Sequence, residues 1–305
     1  MNNRSLCIYF FLILEATVNA AGSLNYPEEE IPFAEESFIL EQPYAAEEVS
    51  SDLYFLQVRR NEGETIGDKI SYTTLEAFSF PCNYRNLYPF ADLRYHGFGE
   101  SAQNAVNAGI GLRVAPRCTK YVFGANIYYD YRNVYHRSFN QLGIGLESLG
   151  PCINFRFNAY LPVGKKSRLL SSDYCAKYSG ERFLIKERFV DSLKGVDFEA
   201  EMRAARICCT DIYFAIGGYY YKRKACGRDI LGSEYRITVN PCRWLSFSVM
   251  ATYDCHYRTR VQGEITLTFP FHCKGDADAC SIQFQPVRRR EMIVVDKHNM
   301  FLWNW

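Results

Sequence analysis

Three sets of residues carry the chemistry for a specific task. The first is Asp254 and His256 in "DCH", with His136 elsewhere in the chain: a carboxylate and two imidazoles, the groups of general acid–base catalysis. Such catalysis needs them within hydrogen-bond reach of one another or of a substrate. No spacing in the sequence supplies that, so polar residues at the rim of a fold are the plainer reading. The second set is the cysteines, 12 in all. The adjacent Cys208 and Cys209 and the interval from Cys273 to Cys280 match no zinc pattern, so neither a metal nor a cofactor is expected. The third set consists of charged residues at alternating positions along apolar stretches: Asp92, Arg94, Arg113, Asp130, Arg132, Glu147, Arg156, Glu199, Glu201, Arg203, Arg236 and Glu264, joined by Asn126. Arginine grips a carboxylate through two parallel bonds. Rows of such pairs, with almost no lysine, suit an enclosed polar space better than an open surface.

Strands must hold these residues. In "CINFRFNAYLPVG", residues 152–164, apolar Ile153, Phe155, Phe157, Ala159 and Leu161 alternate with Asn154, Arg156, Asn158 and Tyr160. That is the period of a sheet with one apolar and one polar face. The same alternation sets Ile127 and Tyr129 against Asn126, Tyr128 and Asp130, and Val196, Phe198 and Ala200 against Asp197, Glu199 and Glu201. The 23 Tyr and 22 Phe suit strands and also the aromatic girdles of membrane barrels. A soluble sandwich would turn the apolar face inward; a membrane barrel turns it to lipid and lines its lumen with the polar face. The alternating runs last about 9 to 12 residues, longer than ordinary globular strands and right for a tilted membrane span. The expected fold is therefore all-β: a twelve-stranded antiparallel transmembrane β-barrel over residues 54–271, its strands near 54–63, 70–80, 90–98, 105–114, 121–132, 139–149, 153–162, 195–205, 210–222, 231–240, 243–254 and 260–270. These alternating charged residues and Asn126 would line the lumen. An even number of strands puts both ends of the barrel on the periplasmic side.

The N-terminus gives the route. Residues 1–20 read as a cleaved signal peptide, with Arg4, an apolar run from Leu6 to Leu14, and Val18 and Ala20 at the cleavage positions. The expected destination is the bacterial outer membrane. No other stretch approaches the roughly 18 continuous apolar residues of a membrane helix, so any later span must be made of strands. Residues 21–53 form an acidic leader that reads as flexible. A net charge of +1 gives no case for nucleic acid. The expected partners are outer-membrane lipid and the barrel-assembly machinery.

Removal of Cys7 with the signal leaves an odd number of cysteines, so at least one thiol stays free or pairs with another molecule. Strand parity puts Cys82, Cys118, Cys152, Cys208, Cys209 and Cys242 in short periplasmic turns, with Cys273 and Cys280 just after the last strand. These are candidate disulfide residues around one rim, bonding within the chain or to other envelope proteins. Outward connections hold Cys175, Cys226 and Cys255. The longest, 164–194, contains "GERFLIKERF" and reads as a folded surface loop.

The run "FADLRYHGF", "NAGIGLRV", "VFGANIYYDYR", "FNQLGIGLESLG" and "INFRFNAYLPVG" resembles the inverse autotransporter β-barrel, the outer-membrane domain of intimin and invasin, and most of all its cysteine-rich versions from bacteria with disulfide-linked envelopes. The likeness covers about residues 55–295. It implies a twelve-stranded barrel, not an enzyme, that anchors and helps export a passenger attached C-terminally. In the family a linker leaves the last strand, passes through the lumen and emerges at the cell surface. The tail 272–305, with "IQFQPVRRREMIVVDKH" and Arg288, Arg289 and Arg290, is the candidate linker. Its 34 residues reach roughly 110 Å when extended, against a membrane core of about 30 Å. Neither a folded passenger nor the family's LysM module is expected within this sequence. Two functions stand out: translocation of a short C-terminal segment, or a structural or porin-like envelope protein cross-linked through its periplasmic-side cysteines. A hydrolase built on Asp254, His256 and His136 has the least support.

Overall fold

The computed structural model describes residues 53–67, 69–81, 86–99, 103–116, 119–179, 182–207, 210–223, 228–271 and 282–304. Residues 1–20, expected to be a signal peptide, and the expected leader as far as residue 52 lie outside them. The alternating stretches become strands: β1 (Leu53–Gly63), β2 (Tyr72–Phe80), β3 (Leu87–Phe98), β4 (Asn104–Val114), β5 (Val122–Val134), β6 (Arg137–Leu149), β7 (Ile153–Val163), β8 (Ser167–Ser179), β9 (Arg182–Ser192), β10 (Lys194–Ile207), β11 (Thr210–Lys222), β12 (Ile230–Cys242), β13 (Leu245–Asp254), β14 (Arg258–Phe271) and β15 (Val295–Asn304).

Twelve of these close into one antiparallel barrel in the order β1-β14-β13-β12-β11-β10-β7-β6-β5-β4-β3-β2. Closure runs along β1 and β14, from Tyr54 opposite Phe271 to Gly63 opposite Gln262. The sheet is inverted relative to a soluble protein. Leu93, Ile110 and Ile127 are 54%, 64% and 45% exposed, whereas their neighbours Arg94, Arg113 and Asp130 are all at 0%. An apolar outer band around an ionic interior is the pattern of a barrel that faces lipid. Among the described residues no helix is long and apolar enough to cross a membrane, which says nothing about crossing by strands.

The connection 164–194 is more ordered than the surface loop expected for it. β7 pairs directly with β10, and β8 and β9 leave the barrel as a hairpin. This hairpin forms a separate sheet of three strands in the order β15-β9-β8. On the same end of the barrel, β5 and β6 are joined by Tyr135 and His136, with φ of 53° and 56°. Two successive left-handed residues make the tight hairpin turn whose twist matches that of the strands.

Inside the barrel, flat rings need room on neighbouring strands, and glycine provides it. Gly109 lies directly opposite Tyr128 and Gly232 directly opposite Tyr219. A Cβ at either glycine would come within 2.2 Å of the facing ring, so only a residue without a side chain lets the ring lie across it.

Candidate functional site: the barrel lumen

The lumen holds a piece of the chain itself. A short 3₁₀ turn, Ile282–Phe284, sits at the end of the barrel where β14 finishes. Phe284 packs edge-on against Phe80 and Tyr88, with ring centroids 5.0 and 5.8 Å apart. Val287 follows, in an apolar cluster with Phe55, Phe78, Phe80, Phe90 and Tyr128. The next residues run up the interior without a strand partner, so their carbonyls need other donors. The wall provides them. Arg113 Nη1 donates to the Gln285 carbonyl at 2.5 Å and Arg94 Nη2 to that of Val287 at 2.7 Å. Asn107 Nδ2 donates to the carbonyl of Glu291 at 3.0 Å, and Arg132 Nη1 to that of Ile293 at 2.7 Å. At the far end the backbone N–H of Leu193 donates to the carbonyl of Val294 at 3.0 Å, and Val295 enters β15.

Charged side chains on the segment meet opposite charges on the wall. Arg289 forks Asp130 through two bonds of 2.7 and 2.6 Å and lies 4.3 Å over the Tyr128 ring. Its fork occupies the space where Gly143 has no side chain, since a Cβ there would stand 2.3 Å from Arg289 Nη2. Arg290 donates to Glu234 at 2.6 Å, and its backbone N–H donates to the Tyr160 hydroxyl at 2.7 Å. Arg288 stands 3.4 Å from Glu201. Glu291 answers Arg59 at 2.5 Å and Arg94 at 2.8 Å. Buried pairs of this kind contribute little net stability as pairs, yet stranding one partner costs about 3–5 kcal/mol. The segment is therefore held in one position rather than merely enclosed.

The charged residues expected to line the lumen divide into two groups. Asp92, Arg94, Arg113, Asp130, Arg132 and Glu147 are buried around the segment. Asp92 accepts from Arg94 and from the Tyr128 hydroxyl, at 2.6 Å in each case, and Arg113 pairs with Glu147 at 2.6 Å. Asn126 is buried beside Gly145. On the other side Arg156 bridges Glu199 and Glu201 at 2.9 and 2.8 Å, and Arg236 pairs with Glu199. These four, with Arg203 and Glu264, line a cavity of about 1410 Å³ that remains beside the segment. Cys152 and Cys242 also border that cavity. They and Cys255 carry free thiols. Cys82, Cys118, Cys208, Cys209, Cys273 and Cys280 lie outside the described residues. Among the described residues no group of His, Cys, Asp and Glu could hold a metal ion.

Several participants were missed by sequence reasoning. Arg59 and Glu76, 2.5 Å apart, lie on the inward face of β1 and β2, where simple alternation could have found them. Tyr160 and Tyr128 were placed on the polar face but not assigned a role. Glu291 gave no signal, because its partners come from strands about 200 residues earlier.

The "DCH" motif is a brace. Asp254 accepts from the Tyr219 hydroxyl at 2.6 Å and from the backbone N–H groups of His256 and Tyr257 at 2.7 and 2.6 Å. His256 Nε2 lies 2.9 Å from Asp296 Oδ1, and Arg223 Nε donates to Asp296 Oδ2 at 2.7 Å. Tyr257 donates to the Val295 carbonyl at 3.2 Å. Burial, then the Asp296 and Asp254 carboxylates, push its phenol well above the usual tyrosine range, so it remains a donor. No hydrogen bond or ion pair joins His136 to this group among the described residues.

A closed twelve-stranded barrel with an apolar outer band and an ionic interior defines the class: an outer-membrane β-barrel. The model of the family described as "Inverse autotransporter, beta-domain" matches residues 45–204, more than half of the chain, and the protein belongs to that family, one of non-enzymatic translocators. The match takes in β1 to β9 and most of β10. A solved membrane-protein structure, from work on in-meso crystallization, shares the fold at 11% identity with a TM-score of 0.57, covering 80% of this chain and 100% of that one. More distant matches include the NanC porin (10% identity, TM-score 0.39, 70% of this chain and 98% of that one). Another is the translocator domain of the autotransporter NalP from Neisseria meningitidis (12%, 0.33, 72% and 88%). No curated protein matches the chain.

Proposed function

We propose that the protein anchors itself in the outer membrane and passes its C-terminal segment through its own lumen to the cell surface. The end of the barrel bearing the 3₁₀ turn Ile282–Phe284 faces the periplasm, and the β8–β9 hairpin faces outward. One observation carries this reading: the chain from Gln285 to Val294 is hydrogen-bonded to the wall from one end of the barrel to the other. Arginine suits such a channel. Its planar fork can donate to any passing carbonyl, so the wall can solvate the backbone of an extended chain whatever its side chains. The outer band, including Ile110, Ile127 and Leu146, rests on lipid. Export by a signal peptide and insertion by the barrel-assembly machinery belong to the same reading. Cys152 and Cys242, with free thiols beside the periplasmic mouth, are then available to other disulfide-linked envelope proteins.

The test is protease access to an epitope placed after Trp305. Cleavage on intact cells is the expected result. Protection until the outer membrane is opened would overturn the proposal in favour of a structural or porin-like barrel.

A further inference from the structure

The outer rim does more than let the chain out. β15 pairs with the open edge of β9 over ten positions, from Val295 opposite Ser192 to Asn304 opposite Phe183. Strand pairing of this kind rests on main-chain bonds and tolerates many sequences, so a shift of two residues would keep every side chain on its own face. Something must choose the register. One facing pair opposes the register observed: it sets Asp296 directly opposite Asp191, and like charges in facing positions destabilise a pair. Both are buried.

We infer that Arg223 and His256 form a carboxylate-reading site on the rim, which captures the emerging chain at Asp296 and fixes its register on β9. This deepens the export reading above and rests on it. Arg223 lies just after β11 and His256 in the turn between β13 and β14, so the two come from separate connections of the barrel and neither belongs to the sheet being formed. They reach Asp296 from the wall at 2.7 and 2.9 Å. Asp296 is the sole carboxylate residue from Met292 to Trp305, so a slip of two residues would present Val294 or His298 to the pair instead. The remaining charges are disposed to permit this register. His298 Nδ1 lies 3.7 Å from Asp191, and Lys297 sits 3.7 Å over the Tyr135 ring of the β5–β6 turn. The Val295 carbonyl is held by Tyr257 and that of Val294 by Leu193, so the two residues before Asp296 are fixed by the same rim. The site thus accepts an extended polypeptide with one acidic residue at a set distance from the lumen exit. It stops outward sliding there.

The experiment reads the register directly. Arg188 and Asn299 are exposed and directly opposite one another. Arg188→Cys is combined in turn with Lys297→Cys, Asn299→Cys or Phe301→Cys, and linked peptides are identified by mass spectrometry after mild oxidation of intact cells. The 299 link is expected to exceed the other two by about tenfold, the worth of one charge-assisted bond. Asp296→Asn, and separately Arg223→Gln with His256→Gln, should each reduce that preference to less than about twofold. The double rim variant leaves β15 untouched, so the test survives if the Asp296 variant folds poorly. Equal yields at the three positions in the parent protein would overturn the inference, as would a preference that both variants keep. Absence of all three links together with a protected C-terminal epitope would instead sink the export reading, and this inference with it.

Discussion

Replacing Arg289 with leucine should loosen the lumen segment without damaging the barrel. The side chains of Arg289 and Asp130 are each 1% exposed and share two bonds. Removing one member of such a pair costs about 3–5 kcal/mol, because the other is left charged and buried. Asp130 would still accept from Asn107 at 2.6 Å and from Gln141 at 3.2 Å, so the lower figure applies. About 3 kcal/mol is a change on the order of 10² in the ratio of seated to unseated segment. Amide hydrogen exchange across residues 285–294 of the purified full chain measures that ratio, because exchange there follows local opening. The expected result is exchange roughly 10²-fold faster in this segment, with little change in β4 to β6. Adding Asp130→Asn removes the stranded charge and should recover much of the loss, giving a measurable coupling in a double-mutant cycle. Exchange within about threefold of the parent, or no recovery from the second substitution, would refute the reasoning that this pair seats the segment.

Other consequences can be checked separately. Gly109→Val should drive the Tyr128 ring from its place beneath Arg289 and lower stability by about 1–3 kcal/mol, read as a fall in the thermal midpoint that Tyr128→Ala in the same chain partly reverses. Ile127→Arg on the lipid face should cost about 2–4 kcal/mol in urea titrations of the vesicle-inserted protein. Ser246→Arg, which points into the remaining cavity, should change the midpoint little. Deleting residues 282–305 removes Val294 from the cluster of Ile66, Tyr160, Leu193, Tyr219, Tyr221 and Ile230 that closes the hairpin end. Planar bilayers should then carry a steady ion current that the full chain does not.

Much of the fold could be read from local pattern. The facing runs through Phe155 and Arg156, or Ile127 and Asp130, reveal strand, face and inversion together, because side-chain direction in a strand depends only on parity. The hairpin 167–192 was harder. "SRLLSSDYC" and "RFLIKERFVDS" show no clean split of apolar from polar, since much of this sheet is only half-buried and its pairing is completed by β15 from more than 100 residues later. The site was legible in part for a similar reason. The wall charges Arg94, Asp130 and Glu147 stand at inward positions and could be named. Which of them hold the segment and which face the cavity depends on the path of residues 285–294, set by contacts such as Arg94 to Glu291 and Arg289 to Asp130 across the closed barrel. Tyr128 shows the limit well: its position says inward, its chemistry suits a lipid girdle equally, and only the register with Gly109 decides. His256 paired with a different acid from the one beside it in the sequence, because Asp254 was already occupied in bracing the turn.

The claim that one chain runs from the periplasmic mouth through the lumen to the outer rim is tested most directly by marking two points on a single molecule. A photoreactive residue at Val287 reports the lumen near Phe78 and Phe90, and Phe301→Cys reports the outside through a membrane-impermeant maleimide. Both marks are applied to intact cells, and the maleimide is mapped to residue 301 by mass spectrometry. The expected product is a chain cross-linked from 287 to β2 or β3 and labelled at 301 at the same time. Molecules cross-linked at 287 but labelled at 301 only after the outer membrane is opened would contradict it, because the segment would then enter the lumen and turn back.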